Sequence, residues 1–370
     1  EDTPEWMFAD LGTQAIGGVV VGIYPTNPWP ELQYIVHHSN SRFVVCGDQE
    51  QVDKVLDAIA KHEVGLPDVA KIIAVDMKGM RLYPREMLMS FEDVLELGDQ
   101  YAAANAEQAR AFDDGIAATQ PDDTCMLVYT SGTTGPPKGA MLSHRNLLVT
   151  TDKLRSHFAL DQHNMQVLCY LPLCHVAERA FSTVMHMMTG GVVNYAESID
   201  TVSVNLREIA PTVFLGVPRV WEKFYSGVSI RMKEATRFQQ WAYRQALAIG
   251  TAIADRELAD KPVGVGLALA GRLSRFLVLD NVRRMIGIHR MKWAVTGAAP
   301  ISPELIRWYR ALGLKLYELY GMTESTGGGT TNVPGNQKLG TVGRAQPYNE
   351  VKISEQGEIL IRGANVFMGY

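Results

Sequence analysis

Tyr129-Thr130-Ser131-Gly132-Thr133-Thr134-Gly135-Pro136-Pro137-Lys138-Gly139-Ala140-Met141-Leu142-Ser143-His144 is the stretch on which the reading of this chain turns. From Thr130 to Gly135 every residue is Thr, Ser or Gly. Such a loop buries almost no apolar surface. It offers hydroxyls, orientable backbone N–H groups and, at Lys138, an ammonium, which are the groups a polyphosphate requires. Upstream, residues 125–129 form a short apolar run behind the turn signal at 121–124, and read as a buried strand. Downstream, Ser143 is placed to cap a helix starting near His144. The context predicted is strand, phosphate loop, helix. The common nucleotide loop G-x-x-x-x-G-K-[ST] is not matched, because Gly132 and Gly135 are too close and Gly139 follows Lys138. No G-x-G-x-x-G follows the strand, so a dinucleotide site is not indicated.

The chain has 370 residues, 46% hydrophobic and 20% charged, with net charge −5. That is enough for a large core and more than one lobe. The slight acidity argues against nucleic acid as a partner. Cys46, Cys125, Cys169 and Cys174 show neither C-x-x-C spacing nor a disulfide framework, and a cytoplasmic setting is expected. No apolar run reaches the length of a membrane span.

Four further segments carry chemistry-bearing residues. Tyr317-Glu318-Leu319-Tyr320-Gly321-Met322-Thr323-Glu324-Ser325 ends a strand in a Gly-containing turn with one carboxylate. Val295-Thr296-Gly297-Ala298-Ala299-Pro300 ends a strand in small residues that let backbone approach a flat ligand. Leu171-Pro172-Leu173-Cys174-His175-Val176-Ala177-Glu178-Arg179 holds a histidine beside an acid–base pair. Val217-Pro218-Arg219-Val220-Trp221-Glu222-Lys223 opens a long polar and basic helical stretch. Taken singly, each reads as ordinary structure: a surface turn, a strand-to-helix corner, a structural histidine, a surface helix.

With the Tyr129–His144 stretch these segments resemble the adenylate-forming superfamily, which holds acyl-CoA synthetases, firefly luciferase and the adenylation domains of peptide synthetases. The segments at 171–179 and 217–223 are most similar to long-chain and bubblegum-type fatty-acid–CoA ligases, and the resemblance covers essentially the whole chain. It implies ATP, Mg²⁺ and coenzyme A as cofactors and co-substrates, and a fatty acid as the substrate. It assigns Thr130, Ser131, Gly132, Thr133, Thr134, Gly135 and Lys138 to the β- and γ-phosphates. Gly297, Ala298, Ala299, Glu318, Leu319, Tyr320, Gly321 and Met322 go to the nucleotide, with Tyr320 packed on adenine. Thr323 goes to the α-phosphate, and Glu324 to Mg²⁺ with Thr130 assisting. Thr323, Glu324 and Lys138 are the catalytic set. His175, Val217, Thr296 and Gly297 go to the acyl carboxylate. That carboxylate is already ionised at neutral pH, so His175 positions it and moves no proton. Glu178 and Arg179 are read as a structural ion pair. Val184, Met185, Met188, Val213 and Leu215 are read as ordinary core before they are read as an acyl tunnel.

The fold class expected is α/β: two packed, mainly parallel sheet lobes over 1–150 and 151–338, then the start of a small β-barrel lobe over 339–370. The long helical stretch at 221–260 is read as an amphipathic surface helix with an aromatic core stripe. Peripheral contact with a membrane through its basic face is the alternative. A homodimer is left open. The family's Thr-Gly-Asp motif is not found, since Thr134, Thr189, Thr296 and Thr326 each precede Gly but none of these pairs is followed by Asp. Nor is the family's carboxy-terminal domain found, with its adenylation lysine. The chain therefore reads as a piece of a longer protein that alone binds ATP weakly and turns over little. Two alternatives stand beside the fatty-acid–CoA ligase: a ligase loading acyl chains onto a carrier protein, and a non-catalytic nucleotide- or acyl-binding module.

Overall fold

The computed structural model describes residues 2–130, 135–160 and 165–370. The chain divides into two compact units: Glu1–Arg145 with Pro172–Val176 and Phe367–Tyr370, and Asn146–Leu171 with Ala177–Val366.

The first unit holds six strands: β1 (Val20–Gly22), β2 (Phe43–Cys46), β3 (Lys71–Ala74), β4 (Leu88–Ser90), β5 (Thr124–Thr130) and β6 (Lys138–Ser143). β2, β3 and β4 run parallel, and their apolar residues Val44, Cys46, Ile72, Ala74 and Leu88 join one buried cluster. The helix Gln49–Lys61 seals it with Val52, Val55 and Ala58, and Asp48 caps that helix by accepting from the Gln51 N–H. β1 pairs parallel with β5, and β6 returns antiparallel along β5.

That antiparallel return corrects the predicted context of the phosphate loop. The chain does not pass from loop to helix. It forms a hairpin in which Thr130 pairs with Lys138, and the helix His144–His157 starts only after β6. The physical reason is burial: Gly139, Ala140, Leu142 and Ser143 are buried, a demand the six-residue segment meets as a strand against β5.

The second unit holds β7 (Gln166–Cys169) and β8 (Val192–Tyr195), a parallel pair. It also holds a five-stranded sheet of β9 (Val213–Gly216), β10 (Trp293–Thr296), β11 (Lys315–Tyr320), β12 (Thr330–Thr331) and β13 (Arg344–Ala345). β9, β10 and β11 run parallel, and β12 and β13 are antiparallel additions. β14 (Asn349–Ile353) and β15 (Ile359–Gly363) form a separate antiparallel pair. Met185, Val213 and Leu215 sit in a packed cluster with Phe158, Trp293 and Tyr317, as ordinary core.

The helical stretch at 221–260 is two helices, Pro218–Glu234 and Arg237–Leu258. Thr236 and Gln239 form a reciprocal capping box at the break. The aromatic stripe is core only in part. Trp221 and Phe224 are buried, but Phe238 is 72% exposed and Trp241 53%. The second helix instead buries Ala246, Gly250 and Ala254. A Cβ at Gly250 would stand 2.2 Å from the Ala311 carbonyl oxygen, so helix and helix approach too closely for aromatics on that face.

A buried histidine makes this unit acid-sensitive. His186 is 4% exposed, its Nδ1 bonds the Phe181 carbonyl at 3.0 Å, and its Nε2 meets no partner. Burial pushes its pKa down from 6.5 to about 4. Between those values the unfolded chain takes up a proton that the folded chain refuses. Stability therefore falls as pH falls through that window, by up to about 3 kcal/mol for this group. Burial shifts His144 and His175 in the same direction. The His186→Leu variant is expected to show a flatter loss of urea midpoint between neutral and acid pH than the parent; an unchanged slope would refute the assignment.

Candidate active site

In the first unit, β5 delivers Thr130 to the tip of the hairpin and β6 delivers Lys138 directly opposite. Ser131, Gly132, Thr133 and Thr134 lie outside the described residues. Gly135 has φ +92°, a conformation that costs glycine nothing. The hairpin is held from both sides. Tyr129 is buried, and its hydroxyl bonds His38 Nδ1 at 2.8 Å. A Cβ at Gly139 would press on the Tyr129 ring at 3.1 Å. On the outer edge of β6, Met141 N–H donates to the Gly369 carbonyl and Met368 N–H donates to the Met141 carbonyl, both at 2.9 Å. This places Tyr370 under Lys138, whose Nζ stands 5.1 Å from the ring centroid. Residues 367–370, expected in the β-barrel lobe, belong instead to the first unit.

His175 belongs to the same unit. A Cβ at Gly22, the last residue of β1, would meet the Cys174 Cβ at 2.7 Å, so the turn carrying His175 lies on the end of β1. Gly22 pairs with Val128, two residues before Thr130, which brings His175 to the same sheet edge as the hairpin. Burial lowers the His175 pKa and keeps the ring neutral, which suits a positioning group.

In the second unit three predicted segments meet at one edge. Gly216, Thr296 and Glu318 are neighbours in register across β9, β10 and β11. Val217, then Gly297, Ala298 and Ala299, then Leu319, Tyr320, Gly321 and Met322 follow at the carboxyl ends of these parallel strands. Open parallel sheets bind ligands at that edge. Val217 N–H donates to the Tyr170 hydroxyl at 3.3 Å and starts the helix that carries Trp221. Gly297 is required by packing: a Cβ there would stand 2.8 Å from Leu319 Cδ1. Ala298 has φ +67°, a strained value for a residue with a side chain. Thr296 is fully buried. Glu318 is also buried, and burial raises its carboxyl pKa against a smaller opposing bond from the Ile301 backbone.

Thr323 and Glu324 sit on a single 3₁₀ turn, Thr323–Ser325. Met322 N–H donates to Ser325 Oγ at 3.2 Å, and Thr326 follows with φ +54°. The turn is clamped by Asn365, a fully buried residue. Asn365 Nδ2 donates to the Ser325 carbonyl at 3.0 Å and to that of Gly328, and Thr326 Oγ1 donates to the Asn365 carbonyl at 2.7 Å. Asn146 Nδ2 in turn fixes the Ala364 and Val366 carbonyls at 2.8 and 3.0 Å. A Cβ at Gly321 would stand 2.1 Å from the Gly327 carbonyl oxygen, so this return needs glycine. No sequence spacing announced Asn365 or Asn146.

Glu178 and Arg179, both buried, are in the second unit, on a helix that runs from Val176 through a π-helical segment, Arg179–Val184, to Thr189. Among the described residues no group of three His, Cys, Asp or Glu is set to hold a metal. Mg²⁺ does not need one. It usually takes one or two protein oxygens and completes its shell with phosphate and water, so the Glu324 carboxylate on a clamped turn fits it.

A family model described as AMP-binding enzyme matches residues 1–370. The chain belongs to the AMP-binding enzyme family. The resemblance read from the Tyr129–His144 stretch is thereby established. Among curated proteins, the chain is 31% identical over 394 residues to long-chain-fatty-acid–CoA ligase ACSBG2 of Xenopus laevis, covering 100% of this chain and 49% of that protein. It is 33% identical over 382 residues to long-chain-fatty-acid–CoA ligase ACSBG1 of Rattus norvegicus, covering 100% and 50%. The chain thus spans about half the length of the curated relatives it matches. Among solved structures, the N-terminal domain of FACL13 from Mycobacterium tuberculosis superposes with TM-score 0.65 at 19% identity, over 99% of this chain and 75% of that one. ATP-bound MatB from Rhodopseudomonas palustris gives 0.63 at 20%, over 100% and 60%. At those identities the likeness shows the fold, the mixed α/β fold of acyl-CoA synthetase N-terminal domains. No helix among the described residues is long and apolar enough to cross a membrane.

Proposed function

We propose that this chain is the nucleotide- and acyl-binding part of a long-chain fatty-acid–CoA ligase. The observation that carries the reading is the convergence of Val217, Gly297–Ala299 and Tyr320–Thr323 at the carboxyl edge of β9, β10 and β11, in a chain of the AMP-binding family. Its similarity to the ACSBG ligases supports a fatty acid over an amino acid.

The reaction proposed has two steps. A carboxylate oxygen attacks the α-phosphorus of ATP, the bond to the β-phosphate oxygen breaks, and acyl-adenylate and pyrophosphate form. The coenzyme A thiol then attacks the acyl carbonyl, and AMP leaves. The protein supplies no nucleophile; it positions anions and offsets their charge. Thr130, Gly135 and Lys138, with residues 131–134, would hold the β- and γ-phosphates, Tyr320 the adenine and Thr323 the α-phosphate. His175, Val217, Thr296 and Gly297 would position the acyl carboxylate. Glu324, with Thr130, would hold Mg²⁺, which supplies charge neutralisation on the phosphates when bound. We also assign residues 1–150 and 151–338 in the main to two α/β lobes and 339–366 to the start of a β-barrel lobe, while 367–370 pack in the first unit.

The test is a panel of fatty acids of increasing length against amino acids, read as pyrophosphate release and thioester formation. Long-chain acids are expected to be preferred. A preference for amino acids would overturn the reading.

A further inference from the structure

An exposed apolar stripe and a basic cavity share one helix in the second unit, away from the strand ends that carry the candidate site. The helix Val265–Ser274 continues through the π-helical segment Arg275–Leu279. Val265, Leu269, Leu273, Phe276 and Leu277 fall on one face, at spacings of three and four, and all are exposed, from 57% to 78%. Five large apolar side chains in a row on a surface helix are not the scattered exposure of an ordinary surface.

Residues 261–279 contain no Asp or Glu and hold Lys261, Arg272 and Arg275, in a chain whose net charge is −5. Beside the stripe the same helix borders a cavity of about 340 Å³ lined by Arg272, Arg275, Arg310 and Lys315, with Glu257 as the acidic lining residue. Arg275 shares its charge with Asp280 at 3.3 Å, and its guanidinium lies across Gly313, where a Cβ would stand 3.2 Å from Nη1. The Arg310 guanidinium stands 5.4 Å from the Tyr317 ring centroid, bonds Gln337 Oε1, and keeps a buried Nε with no partner. Four cations against the Glu257 carboxylate and the Asp280 partner of Arg275 leave a net positive lining that favours an anion.

We propose that this face docks on an anionic bilayer, the stripe entering the interface and the cavity receiving a phospholipid headgroup phosphate. The spacing of apolar and basic residues on one helix is that of an interfacial helix. A twofold pairing with a second copy fits less well, because it would bring together two patches of the same positive sign. The docking face is therefore the segment 261–279, not the basic stretch at 221–260 singled out by the sequence.

Co-sedimentation of the chain with phosphatidylcholine vesicles, with and without phosphatidylserine, tests this. Binding to the anionic vesicles is expected to exceed binding to neutral ones by about tenfold and to weaken with salt. Leu273→Glu with Phe276→Glu, both exposed, is expected to lose about tenfold in vesicle binding at unchanged thermal unfolding. Arg272→Gln with Lys315→Gln is expected to lose the anionic preference. Equal binding to both vesicles, or vesicle binding that the Leu273/Phe276 variant retains, overturns the proposal. So does inorganic phosphate abolishing binding at constant ionic strength while that variant still binds, which would reduce the cavity to a small-anion site. A lipid-free dimer that the same variant converts to monomer would make the face a contact between copies, and would overturn it too.

Discussion

Trp221→Ala is expected to destabilise the second unit by about 3–5 kcal/mol, a large share of the stability of a typical domain. Trp221 is fully buried. Its ring meets Phe214 and Tyr309 edge-on at centroid distances of 5.4 and 5.0 Å. Its Nε1–H donates to the Gly216 carbonyl at 3.0 Å, and the Tyr309 hydroxyl donates to the Trp221 carbonyl at 2.7 Å. Truncation would open a cavity among these rings and strip the Gly216 carbonyl of a donor at the end of β9. Nothing can collapse into the gap cheaply, because β9 and the helix Pro218–Glu234 are joined by Val217 alone. Trp221→Phe keeps the ring and loses the hydrogen bond, so it should cost about 1–2 kcal/mol. Urea unfolding monitored by circular dichroism reads both, as midpoints that fall at constant slope. A loss under about 1 kcal/mol for the alanine variant, little more than an ordinary surface change, would show that this ring cluster does not anchor β9.

The strand before the loop was legible because it is a short apolar run behind turn residues: the run expected at 125–129 emerges as β5, Thr124–Thr130. β6 was not legible. Its six residues hold a glycine, a lysine and a serine, and they abut a helix without a break, so the apolar part was absorbed into the loop and the helix cap. The helix Arg237–Leu258 misled in the opposite way. Its aromatics suggested the core face, while the face that packs is built of Ala246, Gly250 and Ala254, because only small side chains admit the Ala311 backbone.

The candidate site divides along the same line. Residues that would touch ligand advertise themselves, since a Thr/Ser/Gly loop or a glutamate after a glycine turn has few other reasons to exist in that context. Residues that hold them in place do not. Asn365 reaches Ser325 across 40 positions, and Asn332 Nδ2 donates to the Thr341 carbonyl at 2.6 Å while its Oδ1 accepts from Lys338 N–H at 3.0 Å. An asparagine that pairs with a distant carbonyl leaves no periodicity in the sequence. Residues 367–370 were read as part of the β-barrel lobe, although they edge β6 and set Tyr370 under Lys138.

Glu324→Ala is expected to lower pyrophosphate release on the order of 10²–10³-fold, the scale of removing one preorganised electrostatic contact from a transition state. Asn365, Thr326 and the Met322 backbone hold Thr323–Ser325 in one conformation, so the substitution removes a carboxylate without releasing the backbone. With the carboxylate gone, charge building on the leaving pyrophosphate would be less well offset. Glu324→Gln should lose nearly as much, because an amide oxygen carries no full charge to the cation. Glu324→Asp should recover part of the rate if the metal can shift toward the shorter side chain. The discriminating measurement is rate against Mg²⁺ concentration: the alanine variant should need far more metal to approach its own plateau. A variant as active as the parent at every metal concentration would remove Glu324 from the catalytic set and leave Thr323 and Lys138 to carry the phosphate chemistry.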